Sequence, residues 1–151
     1  MTVAPSKFIK SKDVSVIGIP INAGQPRQGV EKGPAKLIEF GLLNQVEEMG
    51  WKTHHTSNEE LVTKLQPEHD PDVLNLKQPK WVSAVTETIS EQVCSSAKDG
   101  KFVLTLGGDH SLGLASVSGV FAAYPDACLI WVDAHSVSSS NECCFIDILK
   151  I

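Results

Sequence analysis

Apolar residues along the chain fall into short blocks separated by polar, Gly- and Pro-containing stretches. Val14 to Ile19 is an apolar run ended by Pro20, and it reads as a first strand. Gly33-Pro34 opens a helix, proline being suited to a first helical position; Leu37, Ile38, Leu42 and Val46 form its apolar face and Gly50 ends it. Trp51 to His55 reads as a short second strand. From Ser57 to Lys80 the chain is polar and without clear period, as a surface loop would be. Helical spacing returns from Lys80 to Lys98, with Trp81, Ala84, Val85, Ile89 and Val93 on one face and Asp99-Gly100 as the following turn.

The most informative stretch runs from Lys101 to His135. Phe102 to Leu106 and Cys128 to Val132 have the length and composition of buried strands. Ser111 to Tyr124 between them has helical length and stops at Tyr124-Pro125-Asp126. That is a βαβ unit, predicting two parallel neighbours joined by a right-handed crossover. The whole pattern describes an α/β protein, a three-layer sandwich with a mainly parallel β-sheet.

Each of these two strands delivers metal-ligand residue types just past its carboxyl end, the edge at which ligands bind in open α/β sheets. Gly107 and Gly108 allow a sharp turn that brings His110 to this rim. Asp133 and His135, at i and i+2 of an extended segment, project to one side. An imidazole with a carboxylate–imidazole pair suits a Mn²⁺-type site. Either piece alone is more ordinarily a loop residue; two on adjacent strands point to a metal site. His54 and His55 lie on opposite faces of their strand and read as structural, and His69 carries no further signal.

Composition narrows the picture. A chain of 151 residues has the size of one domain. The net charge of -5 is spread rather than blocked, so neither nucleic acid nor an anionic membrane is expected as a partner. No run approaches the ~20 apolar residues of a membrane span. The first residues lack the apolar core of a secretory signal and the arginines of a transit peptide. Cys94, Cys128, Cys143 and Cys144 follow no zinc spacing and read as reduced, buried thiols of a cytoplasmic protein.

Leu106-Gly-Gly-Asp-His-Ser-Leu112 and Trp131-Val-Asp-Ala-His135 resemble the two signature blocks of the arginase family of ureohydrolases. Gly24-Gln-Pro-Arg-Gln-Gly-Val-Glu-Lys-Gly-Pro34 resembles the early loop of arginases, which argues against agmatinase-like or deacetylase-like relatives and suggests that the loop, with Arg27 and Glu31, lies near an active-site rim. The resemblance implies hydrolysis of L-arginine to L-ornithine and urea at a binuclear manganese centre, a reaction of arginine metabolism and the urea cycle. It aligns His110, Asp133 and His135 with metal ligands and gives Asp109 a supporting role. In such centres paired divalent cations lower the pKa of a shared water and hold it beside the guanidinium carbon.

After His135 the likeness ends. The family pattern is Asp-Ala-His-x-Asp, but Ser136 and Val137 follow here and the second carboxylate is missing. The family's later substrate-holding Asn and Ser, its proton-transfer His and its Asp-x-Asp pair have no counterpart in the 151 residues. The sequence thus divides into residues 1–135, an amino-terminal portion of an arginase-like domain, and a divergent tail, 136–151. At most one weakly held Mn²⁺ is expected, with little or no activity. The alternative is a non-catalytic truncated isoform or fragment that either does nothing or associates with full-length subunits, although the oligomeric contacts usual in the family are not expected of this chain. The apolar run Cys143 to Ile151 offers a substitute strand for the edge left open beside Val132.

Overall fold

The computed structural model describes residues 8–132 and the strand at 145–147. Strands β1 (Asp13–Ile19), β2 (Lys52–Ser57) and β3 (Phe102–Gly107) form one parallel sheet in the order β2-β1-β3. Between them run α1 (Gly33–Glu39) and α2 (Leu42–Glu48), then α3 (Glu59–Lys64) and α4 (Pro79–Lys98). Helix α5 (Leu112–Ala123) follows β3 and leads to β4 (Leu129–Trp131).

Strand β1 is paired on both edges and covered on both faces, and every residue from Val14 to Ile19 is buried. Its side chains alternate between two cores, as the period of two in a strand requires. Val14 and Val16 join Leu106 under Ile38, Leu42, Leu43 and Val46 of α1 and α2. Ile17 and Ile19 point the other way, into a core with Val62, Trp81, Val85, Ile89, Val93, Leu112 and Ala115 from α3, α4 and α5. Ser15 on that second face shares a 2.9 Å hydrogen bond with Ser96 of α4. The sheet is thus the middle of three layers, and the α/β sandwich expected from the sequence is the fold observed.

Several elements differ from the sequence pattern. The helix expected from Pro34 to Gly50 is two helices, because Gly41 adopts φ 88° and the chain breaks between Glu39 and Leu42. The stretch from Ser57 to Lys80 is not all loop: α3 lies within it and buries Val62, whose carbonyl accepts the Trp81 indole N–H at 2.9 Å. The same stretch supplies the amino-terminal cap of α4, since the Asp70 carboxylate accepts the N–H groups of Lys80 and Trp81 at 3.2 and 2.8 Å. Asp72 accepts from Lys77, whose ammonium, followed by the Gln78 N–H, holds its carboxyl below the usual range.

The expected pairing of β3 with β4 is not formed. β3 pairs with β1, whereas β4 lies in a separate two-stranded parallel sheet with β5 (Phe145–Asp147), Leu129 opposite Phe145. Hydrophobic periodicity identifies strands but not neighbours, and a right-handed βαβ connection can pass over positions in a sheet. The expectation that 143–151 supplies a strand beside Cys128–Val132 does hold for the backbone of 145–147. Full burial of β3 and β4 does not hold, since Phe102, Ile130 and Val132 are exposed: neither strand has the two-sided cover of β1. Nor are the described cysteines buried, Cys94 being half-buried on α4 and Cys128 exposed ahead of β4; both are unbridged.

Ile17, 1% exposed at the centre of the sheet, is expected to lose about 2–5 kcal/mol of stability on Ile17→Ala. Leu74, 96% exposed with φ 54°, is expected to gain up to about 1 kcal/mol on Leu74→Gly through relief of left-handed backbone strain. Urea denaturation midpoints compare the two, and a shift in the wrong direction at either site contradicts the packing described.

Candidate functional site at the carboxyl edge of the sheet

The two loops that meet at the site leave neighbouring strands toward opposite faces. After β1 the chain turns to the α1–α2 face; after β3 it turns to α5, on the α4 face. Between β1 and β3 the strand order reverses, and at such a switch point the connections diverge and leave a crevice at the carboxyl ends. The first loop, Pro20 to Gly29, enters this crevice, and the turn Gly108-Asp109-His110-Ser111 closes its other side.

Backbone hydrogen bonds continue the β1–β3 ladder past both strand ends. Gly108 N–H donates to Ile19 O at 3.1 Å and Asp109 N–H to Ile21 O at 3.0 Å. The chain does bend sharply at Gly108 and Asp109, as the sequence suggests, but neither Gly107 nor Gly108 has positive φ. Gly108 is needed for close approach: a Cβ there would lie 1.9 Å from Ile21 O. Asp109, 7% exposed, then ties side chain to loop. Its Oδ2 accepts Gly24 N–H at 2.9 Å, while its Oδ1 accepts Ser111 N–H at 2.9 Å and Ser111 O–H at 2.5 Å.

His110 follows directly and is exposed at the rim. Its ring stacks on Trp131, centroids 5.3 Å apart and planes 22° from parallel. The end of β4 therefore stands beside the turn after β3, although the two strands are not paired. Thr105, Gly107, His110, Gly113, Ser116 and Trp131 line an open pocket of about 300 Å³ there. Of the three expected ligands, the structure places His110; Asp133 and His135 lie outside the described residues. An imidazole at that point, joined by a carboxylate and a second imidazole, is a donor set that fits a Mn²⁺-type ion. A larger hollow of about 860 Å³ lies away from this chemistry, against α1, α3 and the edge of β2, and His110 does not line it.

The loop carries its own order. Glu31 Oε2 accepts Gly29 N–H at 2.7 Å and Asn22 Nδ2–H at 3.2 Å. Hydrogen bonding from its own backbone amide, and further from Gly29, holds its carboxyl below the usual range. Gln25 bridges the loop by accepting Arg27 N–H at 2.7 Å and donating to Arg27 O. Arg27 is exposed, and neither Arg27 nor Glu31 lines the His110 pocket. His54 bonds Asp13 Oδ1 at 2.7 Å at the opposite, amino-terminal end of the sheet, in keeping with a structural role. Sequence reasoning missed the long-range bond from Gly24 to Asp109, whose partners are 85 residues apart.

Because Glu31 is depressed in the folded loop, its stabilising contribution is present above the ordinary glutamate pKa and is lost as pH falls through the depressed value. Glu31→Gln is expected to loosen the Gly24–Lys32 loop at neutral pH and to remove part of its acid sensitivity. Amide hydrogen exchange as a function of pH reads both effects; unchanged loop protection in the variant counts against this anchoring.

The arginase family model matches residues 12–141. Arginase from Glaciozyma antarctica is 45% identical over 138 residues, covering 90% of this chain and 40% of that protein. Arginase from Saccharomyces cerevisiae is 34% identical over 147 residues, covering 89% of this chain and 44% of that one. Among solved structures, Bacillus caldovelox arginase superposes with TM-score 0.72 at 30% identity, over 82% of this chain and 41% of that chain. Entamoeba histolytica arginase, solved in complex with L-ornithine, gives TM-score 0.68 at 26% identity, over 85% and 43% respectively. The chain spans about two-fifths of the length of these relatives. With the family model matching most of its length, and the first signature turn standing at the carboxyl edge of the parallel sheet, the chain belongs to the arginase family.

Proposed function

We propose that the carboxyl edge of this sheet carries part of an arginase-type manganese site, with His110, Asp133 and His135 as ligands, and that hydrolysis of L-arginine to L-ornithine and urea is the chemistry of the complete centre. The observation that carries this reading is the position of His110, at the switch-point crevice and against Trp131, two residues before Asp133. When bound, the metal supplies water activation near neutral pH and neutralises negative charge developing in the reaction. The protein's part is to present the imidazoles and carboxylate from a rigid sheet edge and to seat the loop after β1 beside them.

Residues 1–151 by themselves hold at most one ion weakly and turn over arginine little or not at all. Val137 stands where the family pattern has a carboxylate, so the proposed donor set brings a single negative charge in all to whatever dications it must hold. On this reading residues 1–135 are the arginase-like portion and 136–151 a distinct tail. The setting is the cytoplasm and arginine metabolism, without nucleic acid or membrane as partner. Among the described residues no helix is long and apolar enough to cross a membrane.

The test measures Mn²⁺ stoichiometry by electron paramagnetic resonance and urea release from L-arginine, for the chain and for Asp133→Ala and His110→Ala. The expected result is no more than one ion, lost in both variants, with no urea above the variants' background. Turnover abolished by Asp133→Ala would show that a reduced donor set suffices and would overturn the inactive reading. Binding unaffected by both substitutions would remove the proposed ligands.

A further inference from the structure

We infer that Asp109 is a positioning residue that makes the loop after β1 and the turn bearing His110 one rigid unit. Its bond to Ser111 N–H is a local turn interaction that many aspartates make at this spacing. The bond to Gly24 N–H is different, because it joins the first residue of the family-like loop to a turn 85 residues further along the chain. Three donors converge on two carboxylate oxygens: Gly24 N–H on Oδ2, and Ser111 N–H and O–H on Oδ1. All three are satisfied only by a group that accepts at both atoms. An asparagine would turn an NH₂ toward one of them and oppose donor to donor.

The fit is close from the loop side as well. A Cβ on Gly24 would stand 3.1 Å from Asp109 Oδ1 and 3.1 Å from Ser111 Cβ, so alanine there pushes against the same carboxylate. The two backbone bonds at Gly108 and Asp109 hold the loop's root, and Asp109 carries that connection to Gly24, where the chain turns away toward Lys32. His110 is the next residue, so a shift of Asp109 moves the imidazole's backbone directly. Whatever Gln25 to Lys32 presents at the rim is thereby held at fixed distance from His110. This deepens the reading of His110 as a ligand and rests on it for its consequence, but its test is made without metal, so failure of Mn²⁺ binding and failure of the coupling are distinguishable.

Asp109→Asn and Gly24→Ala perturb the two ends of one hydrogen bond. Both are expected to move the His110 imidazole resonances in heteronuclear NMR, leaving those of His54, His55 and His69 in place. Both are expected to speed amide exchange from Gly24 to Lys32 about ten- to a hundredfold, as loss of a bond to a charged acceptor implies, without changing exchange at Val16, Val85 or Ile89. The double variant is expected to add little to either single one, because both break the same contact. Loop loosening with His110 unmoved would reduce Asp109 to a loop anchor and overturn the coupling. Faster exchange throughout the core would show a purely structural role and overturn it too. A third variant, Ser111→Ala, removes only the hydroxyl donor and is expected to leave Gly24 protected; loss of that protection would likewise refute the assignment.

Discussion

The structure depends on one topological constraint: β1 is the central strand, and its neighbours are reached by connections on opposite faces. A right-handed crossover from β1 to β2 places α1 and α2 on one face. The return from β2 to β3, on the other side of β1, places α3 and α4 on the opposite face. From Val14 to Ile19 the β1 sequence must therefore be almost wholly apolar, because each alternate side chain meets a helix layer, and its one polar side chain, Ser15, is paired with Ser96. Val14 and Val16 take one layer, Ile17 and Ile19 the other. The same reversal opens the crevice at the carboxyl ends of β1 and β3, so the packing that stabilises the sheet also creates the place for chemistry.

Much of this was legible in the sequence because it follows from local pattern. The unbroken apolar run Val14–Ile19 announces a strand covered on both faces, and the spacing of Trp81, Val85, Ile89 and Val93 announces the face of α4 that covers it. What local pattern could not supply was adjacency. Cys128–Val132 is apolar enough for a buried strand, yet Ile130 is 56% exposed and its ladder partner is β5 rather than β3. Breaks within helices were equally hidden: Gly41 sits in a continuous apolar stripe, and only its left-handed φ separates α1 from α2. The polar stretch before α4 concealed α3 because six residues are too few to establish a period.

At the site, residue types and spacing pointed to His110, and the structure places it at the predicted rim. The reason offered for its neighbours was incomplete. Two glycines before Asp109 suggest the sharp turn that is present, but not that Gly108 also lets the chain pass within contact of Ile21 O without any left-handed φ. A supporting role for Asp109 was legible in the motif, but its partner was not: Gly24 lies 85 residues away, and only the fold shows a buried carboxylate satisfied by three donors.

Charge decides what the proposed donor set can hold. Two dications about 4 Å apart repel by roughly 17 kcal/mol at an effective dielectric near 20. One carboxylate at a similar distance from both offsets about 8 kcal/mol per ion, leaving nothing to oppose the cost of stripping water from each metal. Neutral imidazoles donate electron pairs but add no negative charge, so His110 and His135 cannot make good the difference. A single dication would face no such repulsion, and one carboxylate with two imidazoles would hold it at the cost of part of its hydration shell. The change from a carboxylate to Val137 thus acts on the number of ions before it acts on the reaction. Asp109 offers no remedy, because its two oxygens are engaged in joining Gly24 and Ser111. Freeing it for a metal would undo the contact that fixes His110 in place.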